Sequence, residues 1–250
     1  MRITYFGVRG SCPCSSDQQR RYGGNTSCVL VEVDDEPPLV LDMGTGLRAL
    51  GHHLNAALVP AGRPLRGNCL LTHLHYDHVL GTPFFPVHMA DFRGELRYHD
   101  LKGTDEFQLG GISVKARTIP HIGNTLGFRI EADGASLAYL PDHQAPVDRT
   151  TVSADVLDLC DGVDLLIHDS QYTEEEFVEL FDWGHSTPAY AVLVATRSGA
   201  KRLDMFHHDP GHSDRQIDAM LRAARQVAQS TGKVQVNAAK EGGTFELRKR

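Results

Sequence analysis

The sequence predicts a mixed α/β protein, folded as one domain over residues 1–250. Segments with the apolar and β-branched content of strands come first, and helical segments then alternate with further strands. The composition is that of an ordinary globular protein, with 41% hydrophobic and 23% charged residues. No linker, internal repeat or low-complexity stretch divides the 250 residues, and this length suffices for one sizeable core.

Three strands and one helix are predicted in the first part of the chain. Arg2–Gly7 and residues 27–33 have strand-like apolar content, and a polar turn at 34–38 separates the second from a short buried strand at Leu39–Leu41. Glycines end that strand. Leucines at positions 47, 50, 54 and 58 then have helical spacing, which predicts a helix over Leu47–Leu58.

Five further apolar runs each end in polar residues that include a histidine or an aspartate. A buried strand with a polar side chain at its end is how sheet scaffolds build functional sites. The runs are 69–71 before Thr72-His73, 114–119 before Pro120-His121, 137–140 before Pro141-Asp142, 165–167 before His168-Asp169, and 203–206 before His207-His208-Asp209.

Helices are predicted at 174–181, 187–198 and 214–230 in the last part of the chain. The second has Pro188 at its first helical position, and the third has Ser213 or Asp214 as its N-cap. Strands are expected at 233–236 and 244–247, and the basic tail 248–250 is expected to be a solvated end.

Charge and cysteine usage limit the function classes. With 25 Lys and Arg against 32 Asp and Glu, the net charge of −7 disfavours a globally basic nucleic-acid binder. The sequence has no transmembrane-length apolar run, and its N-terminus lacks the apolar stretch of a secretory signal. The five cysteines form no paired metal motif, so a reducing cytoplasm is expected, with Cys12 and Cys14 as two loop cysteines.

Histidine is unusually frequent, with 14 residues, and the densest cluster is the segment His73-Leu74-His75-Tyr76-Asp77-His78. On a strand alternate residues share a face, so His73 and His75 are expected to point together, whereas Asp77 and His78 need a turn that redirects them. Imidazole and carboxylate ligands at this density predict a metal site that favours zinc first, then iron or manganese.

The H-x-H-x-D-H pattern after a short apolar strand resembles the metallo-β-lactamase superfamily of metallohydrolases, and the resemblance spans nearly the whole chain. The early Leu41-Asp42-x-Gly44-x-Gly46 also looks like the turn that precedes this motif in the family. The resemblance implies a four-layer αββα sandwich. It implies His73, His75 and His121 at a first metal site, Asp77, His78 and His207 at a second, with His208 as the less favoured neighbour of His207, and Asp142 as the bridge.

Such a centre would hold two divalent ions, zinc by preference and manganese or iron as alternatives. Two metals roughly 3.5–4 Å apart hold a bridging hydroxide, available at neutral pH because bound metal lowers the pKa of water to about 7. Asp77 or Asp142 would accept a hydrogen bond from that hydroxide and orient it. The resemblance therefore implies a hydrolase.

Two later motifs resemble the phosphodiesterase branch that contains ribonuclease Z and the cyclic-phosphate phosphodiesterases. They are His168-Asp169-Ser170-Gln171-Tyr172 and Gly184-His185-Ser186-Thr187. By this match His185 would steady the phosphoryl oxygens or protonate the leaving alkoxide; alternatively, its loop only caps the next helix through Ser186 or Thr187. His168 and Asp169 are expected to support the site rather than act directly, and Asp169 stands where ribonuclease Z has a glutamate.

The expected substrate is a small phosphodiester, such as a cyclic nucleotide or a cyclic dinucleotide. The long Gly- and Pro-rich arm with which ribonuclease Z grips transfer RNA is missing, and a folded RNA needs many cationic contacts. Neither a large nucleic acid nor a membrane is expected as a partner, and a homodimer is expected only by analogy with relatives. Segments 6–11, 22–27 and 81–86 resemble a small-substrate branch of the same group of phosphodiesterases. Phe84 and Phe85 in the last segment would either line the substrate pocket or fill core.

Other readings are less well supported. Gly44-x-Gly46-x-x-Ala49 is a weak dinucleotide fingerprint, because residues 43–76 lack the acidic residue that binds the ribose. The chain has no Gly-x-Ser-x-Gly elbow of a serine hydrolase. A phosphohydrolase with a helical His-Asp site would need its His-Asp pairs on helices, whereas His168-Asp169 ends a strand-like run. Lactonase, thioesterase or β-lactamase activity on the same scaffold stays open, as does a non-catalytic ligand sensor, although a sensor would be expected to lose metal ligands.

Overall fold

Two β-sheets lie face to face, with helices on the outer side of each. The structure is a computed structural model that describes residues 1–58, 66–85, 97–231 and 234–247. The described strands are β1 (Arg2–Gly7), β2 (Cys28–Glu32), β3 (Leu39–Leu41), β4 (Asn68–Leu70), β5 (Glu106–Leu109), β6 (Ile112–Thr118), β7 (Leu126–Ala132), β8 (Ala135–Leu140), β9 (Leu165–Asp169), β10 (Arg202–Phe206), β11 (Gln235–Ala238) and β12 (Thr244–Glu246). The described α-helices are α1 (Leu47–Leu58), α2 (Tyr76–Val79), α3 (Ala154–Cys160), α4 (Glu174–Leu180), α5 (Pro188–Ser198) and α6 (Asp214–Thr231).

The order of strands is β12-β1-β2-β3-β4 in the first sheet and β11-β10-β9-β8-β7-β6-β5 in the second. In the first sheet only β3 and β4 are parallel. In the second, β8 to β11 are parallel and β5 to β8 are antiparallel. Because β6 and β8 are each antiparallel to β7, the strands β6, β8, β9 and β10 all end at one edge of the second sheet.

The core between the sheets follows from the period of two along each strand. Val29 and Val31 of β2 face the second sheet, where they join a buried cluster with Phe128 of β7 and with Leu137 and Tyr139 of β8. Folding removes the apolar side chains of both inner faces from water, and this burial of apolar surface is the dominant contribution to the stability of such a sandwich.

The alternate residues of the same strands face outward and are covered by helices. Cys28 and Leu30 of β2 pack with the leucines of α1, of which Leu47, Leu50 and Leu54 are buried. On the other side, α3, α5 and α6 cover the outer face of the second sheet. The four layers are therefore helix, sheet, sheet and helix, which confirms the predicted αββα sandwich.

Most predicted elements are present with boundaries shifted by one or a few residues, but β5, β7, α2 and α3 were not predicted. Ser213 accepts a hydrogen bond from Gln216 N, so it caps α6, and Thr187 caps α5 in the same way at Tyr190 N. Lys233, the first residue of the predicted strand 233–236, lies outside the described residues, as do Pro86 and the tail 248–250. Over the part of the chain that the structure describes, no helix is long and apolar enough to cross a membrane.

Candidate metal centre

The predicted ligands meet where the ends of strands from the two sheets lie close together. Backbone hydrogen bonding from Leu126 N to Thr72 O ties the end of β4 in the first sheet to the start of β7 in the second. The side chains that converge there follow the ends of six strands: Asp42 after β3, His73 after β4, His121 after β6, Asp142 after β8, Asp169 at the end of β9, and His207 after β10.

One group of ligand atoms comes from His73, His75, His121 and Asp142, all within 4.8 Å of one another. His75 Nδ1 lies 3.2 Å from His121 Nε2. Asp142 Oδ2 lies 3.4 Å from His121 Nε2 and 3.6 Å from His73 Nε2. Three imidazoles and a carboxylate at these separations are a donor set of the kind that zinc prefers.

A second group comes from Asp77, His78, Asp142 and His207 and is buried throughout. Asp142 Oδ1 lies 2.9 Å from His78 Nε2 and 3.0 Å from His207 Nε2. His207 Nε2 lies 3.1 Å from Asp77 Oδ2. Since Asp142 Oδ2 faces the first group and Oδ1 the second, this one carboxylate joins the two.

His73 and His75 come together by a route that differs from the predicted one. Strand β4 ends at Leu70, so neither histidine lies on a strand, and His75 is instead the residue that precedes α2. Asp77 and His78 lie within α2, a single helical turn that supplies the predicted change of direction. The expectation that strand alternation aligns His73 with His75 was therefore wrong, because an irregular segment does it.

In the second group, the hydrogen bonds of Nδ1 leave Nε2 as the nitrogen of each histidine that faces the centre. His78 Nδ1 lies 2.8 Å from Asp42 Oδ2, and because a carboxylate only accepts, Nδ1 carries the proton. His207 Nδ1 lies 2.9 Å from Gln171 Oε1. The orientation of that amide follows from its Nε2, which donates to Asp209 Oδ2 at 3.2 Å, so the oxygen must face His207.

The same reasoning applies to two histidines of the first group. His121 Nδ1 donates to the carbonyl of Gly184 at 2.7 Å. The hydroxyl of Thr72 donates to Asp42 at 3.1 Å, so towards His73 Nδ1, 3.0 Å away, it is an acceptor. Such outer contacts fix the tautomer of a metal-binding histidine, and here they direct an Nε2 lone pair into the centre.

Buried polar atoms without hydrogen-bond partners show that these residues fit metal ions. His73 Nε2, His78 Nε2 and Asp142 Oδ1 are buried and unpaired; the last two lie 2.9 Å apart, but the contact does not have the alignment of a hydrogen bond. Burying such groups without compensation costs free energy, on the order of 1–3 kcal/mol each. All three atoms face the place where the two groups meet, and divalent ions of the zinc, manganese or iron type would satisfy them.

The charges of the two groups differ before any ion binds. Burial lowers the pKa of His73 to about 3, so this imidazole is neutral at physiological pH. Burial also acts to lower the pKa of His78 and His207, but the carboxylates around them, Asp142 together with Asp42 for His78 and with Asp77 for His207, jointly outweigh it and raise both pKa values. Burial conversely acts to raise the pKa of Asp142, yet His207 and His78 bring it well below its usual range. A metal ion in the second group must therefore displace protons from its histidines.

Two residues of the centre hold a left-handed backbone conformation, which is uncommon for residues other than glycine. They are Asp42, with φ of 58°, and His207, with φ of 59°. Each conformation costs roughly 1–3 kcal/mol and persists only where surrounding contacts impose it. Both residues directly follow a strand, so the strained turn brings their side chains towards the centre.

A histidine–aspartate pair lies beside the two groups. His185 Nδ1 donates to Asp169 Oδ2 at 2.7 Å, and the His185 ring stacks on that of His207 with a centroid separation of 5.0 Å. Asp169 is fully buried and also accepts from the backbone N–H groups of residues 143, 171 and 186. Because these donors already occupy its carboxylate, we interpret Asp169 as the group that orients His185 rather than as a third metal site.

His168 and His208 lie close to the centre but outside both groups. His168 Nδ1 donates to the carbonyl of Asp169 at 2.7 Å, and its Nε2 accepts from His143 Nδ1 at 2.8 Å. His208 Nε2 donates to the carbonyl of Ala239 at 2.9 Å, and burial lowers its pKa to about 3. The structure therefore brings His207, and not His208, among the candidate ligands.

The loop after β1 closes one side of the centre, which the sequence did not reveal. Ser11 N donates to Asp77 Oδ2 at 2.8 Å, and Gly10 lies against the His207 ring. Cys12 and Cys14 follow in that loop as free thiols, as expected for loop cysteines. The position of Gly10 is detectable only in three dimensions, because nothing in the pattern 6–11 points to His207.

Two glycines allow a matched test of the two groups. A Cβ on Gly10 would lie 2.3 Å from His207 Nδ1, and one on Gly184 would lie 2.6 Å from His121. We expect Gly10→Ala to lose the ion of the second group and Gly184→Ala that of the first, so that each variant retains about one ion per chain by elemental analysis. Gly123→Ala is the control for Gly184→Ala, because its φ of +86° is as strained as the +94° of Gly184 but a Cβ meets nothing within 4 Å; Gly10 has no positive φ, so backbone strain does not enter at that position. Loss of metal in the control would assign the effect to backbone strain.

The sequence left open whether Phe84 and Phe85, which follow α2, fill core or line a pocket, and the structure places them differently. Phe85 packs against the cluster beneath α1, whereas Phe84 is exposed. One therefore fills core and the other is available to a ligand.

Comparison with known proteins agrees with this architecture. Residues 83–208, about half of the chain, match the family described as the beta-lactamase superfamily domain. An uncharacterized protein of Mycobacterium bovis is 25% identical over 261 residues, covering 89% of this chain and 86% of that protein. Ribonuclease Z of Ignicoccus hospitalis is 34% identical over 100 residues, or 40% of this chain and 30% of that protein.

A solved structure with the same fold is the metallo-beta-lactamase fold protein YhfI from Bacillus subtilis. It superimposes with a TM-score of 0.74 at 18% identity, covering 98% of this chain and 99% of that one. The similarity to ribonuclease Z that the sequence motifs suggested is confirmed by the sequence matches. Together with the family match, these findings show that the chain belongs to the metallo-β-lactamase superfamily.

Proposed function

We propose that this chain is a binuclear metal-dependent phosphodiesterase that acts on a small phosphodiester. The observation that carries the proposal is the position of the His185–Asp169 pair beside two ligand groups that share Asp142. The two ligand groups that share Asp142 are complete without this pair. A positioned imidazole next to the metals is what a phosphodiester requires, because its leaving alkoxide must be protonated.

His73, His75 and His121 would hold one ion, Asp77, His78 and His207 the other, and Asp142 both. When bound, two such ions supply a water of lowered pKa and neutralise the charge that develops on the phosphoryl oxygens. Zinc suits the donor set best, and manganese or iron are alternatives. The buried donors that lack partners support this assignment.

The protein's own groups orient and move protons. Asp77 Oδ2 accepts from Ser11 N and lies 3.1 Å from His207 Nε2 in the second group, so its carboxylate, like that of Asp142, is held where it accepts a hydrogen bond from an attacking water and orients it. His185 donates through Nδ1 to Asp169, which leaves Nε2 to bind a phosphoryl oxygen or to protonate the leaving group. Asp169 keeps that tautomer in place and stabilises the imidazolium form.

A small substrate is supported by charge. The net charge of −7 offers no general attraction to a polyanion, whereas two divalent ions neutralise one phosphodiester locally. The ribonuclease Z of Ignicoccus hospitalis matches over only 30% of its own length, so we do not extend RNA specificity from it to this chain. A cyclic nucleotide or a cyclic dinucleotide fits these constraints.

Hydrolysis of bis(p-nitrophenyl) phosphate by protein reconstituted with zinc, manganese or iron tests the proposal. We expect turnover with at least one metal, and turnover of a cyclic nucleotide or dinucleotide in a following panel. A protein that binds two ions per chain but cleaves no phosphodiester with any of the three metals contradicts it. Cleavage of lactones or thioesters by that same protein would then assign the other chemistry of this scaffold.

A further inference from the structure

We propose that Gln171 is a positioning residue of the second group, because its one side-chain amide holds His207 directly and Asp77 through Ser11. The inference rests on the binuclear centre of the proposed function but not on its reaction, so zinc binding tests it without a substrate. Gln171 lies in the motif 168–172, in which the predicted roles belong to His168 and Asp169.

The amide of Gln171 makes three hydrogen bonds. Its oxygen Oε1 accepts from His207 Nδ1 at 2.9 Å. Its nitrogen Nε2 donates to Ser11 Oγ and to Asp209 Oδ2, each at 3.2 Å. A flipped amide would set its N–H groups against the His207 Nδ1 proton and its oxygen against the Asp209 carboxylate. Because the residue is only 2% exposed, water does not replace a lost partner, and this one orientation is imposed.

Ser11 carries the effect of the amide to a second candidate ligand. Ser11 N donates to Asp77 Oδ2 at 2.8 Å, and the same carboxylate oxygen lies 3.1 Å from His207 Nε2. Ser11 has a φ of 58°, a backbone conformation that only surrounding contacts maintain in a residue other than glycine. The hydrogen bond from Gln171 to the Ser11 hydroxyl is such a contact, so it helps to keep the Ser11 N–H directed at Asp77.

The loop after β1 and the segment after β10 are joined by their backbones at the same place. Gly10 N donates to the His208 carbonyl at 3.0 Å, and His208 N donates to the Val8 carbonyl at 2.9 Å. A Cβ on Gly10 would lie 2.6 Å from Gln171 Oε1, so the loop packs directly against the oxygen that holds His207. Two ligands that come from distant parts of the chain therefore depend on one buried amide.

An amide suits this position better than a carboxylate does. His78 has the carboxylate of Asp42 as the acceptor of its Nδ1 proton, at 2.8 Å, whereas His207 has the neutral oxygen of Gln171. A carboxylate at position 171 would accept from His207 as well, but it would face Asp209 without a proton between them. Only an amide supplies the acceptor for the histidine and the donor for its other two partners.

Zinc affinity, measured by competition with a chromophoric chelator, tests the proposal one ion at a time. In His121→Ala, which lacks a ligand of the first group, the remaining ion is that of the second group; in His78→Ala it is that of the first. Loss of an outer hydrogen bond to a metal-binding histidine lowers metal affinity about 10- to 100-fold. We expect Gln171→Leu to cause a loss in that range when added to His121→Ala and none when added to His78→Ala. An equal loss in both, or no loss in either, would overturn the proposal.

Two further variants separate positioning from packing. Gln171→Glu restores the acceptor for His207, so it should recover most of the zinc affinity that Gln171→Leu loses. A loss as large as that of Gln171→Leu would show that the amide serves only the packing of its surroundings. Gln19→Leu is the matched control, because Gln19 is also a buried amide near this loop but bonds to Ser16 and to the Pro210 carbonyl. It should leave both zinc affinities unchanged.

A double-mutant cycle tests the route through Ser11. We expect Ser11→Ala to weaken the ion of the second group less than Gln171→Leu does, and the double variant to be no weaker than Gln171→Leu alone. Additive losses, or an unchanged affinity in Ser11→Ala, would contradict this route. Because Ser11 is exposed, its variant also provides the test if Gln171→Leu does not fold.

Failure of this proposal differs from failure of the proposed function. A wild-type chain that binds fewer than two zinc ions contradicts the binuclear centre itself. Two zinc ions in the wild type, bound with the same affinities in Gln171→Leu, contradict only the role of Gln171.

Discussion

Replacement of Asp142 by alanine is expected to remove the metal centre as a unit. Asp142 Oδ1 lies 2.9 Å from His78 Nε2 and Oδ2 lies 3.4 Å from His121 Nε2, so one side chain serves both groups. We expect metal content to fall from about two ions per chain to fewer than one. Because metal stabilises several kcal/mol of transition-state charge, phosphodiester turnover should fall about 10³-fold or more.

Elemental analysis after dialysis measures the metal, and turnover of bis(p-nitrophenyl) phosphate measures the rate. Glu179→Ala is the control, since it removes an exposed carboxylate on α4 that is far from any candidate ligand in sequence. Circular dichroism should show that both variants remain folded. Full metal content in a folded Asp142→Ala variant would contradict the bridging role of this residue.

Replacement of His185 should have the opposite combination of effects. His185 belongs to neither of the two ligand groups that share Asp142, so His185→Asn is expected to keep about two ions per chain. General acid catalysis contributes about 10²- to 10⁴-fold, and turnover of a cyclic nucleotide should fall by a factor in that range. The loss should be smaller for bis(p-nitrophenyl) phosphate, because p-nitrophenolate leaves without a proton.

Asp169→Asn tests the same pair through the residue that orients His185. The carboxylate accepts the His185 Nδ1 proton at 2.7 Å, and a neutral amide at this position removes the electrostatic support for a ring that carries its transferable proton on Nε2. We expect a smaller loss of rate than in His185→Asn, with the same dependence on the leaving group. If either variant loses metal, or if both substrates are affected equally, His185 is not the proton donor.

Local sequence was a good guide to the fold. The apolar and β-branched content of β2, the apolar run of β8 and the leucine spacing of α1 correctly indicated strands and a helix, because the side chains of these elements are buried in the core. Strands β5 and β7 were not predicted. The helix α2 is a single turn of Tyr76–Val79, too short to show any periodicity in sequence.

By itself, the sequence determined the types of the candidate ligands and their places at strand ends: the cluster of residues 73–78, and the isolated His121, Asp142 and His207. What only the tertiary structure decided is which atom of each residue faces the centre. Asp42 binds His78 across 36 positions of the chain, Gln171 binds His207 across 36, and Gly184 binds His121 across 63. A histidine tautomer depends on the partner of its other nitrogen, and contacts between such distant positions leave no pattern in a single sequence.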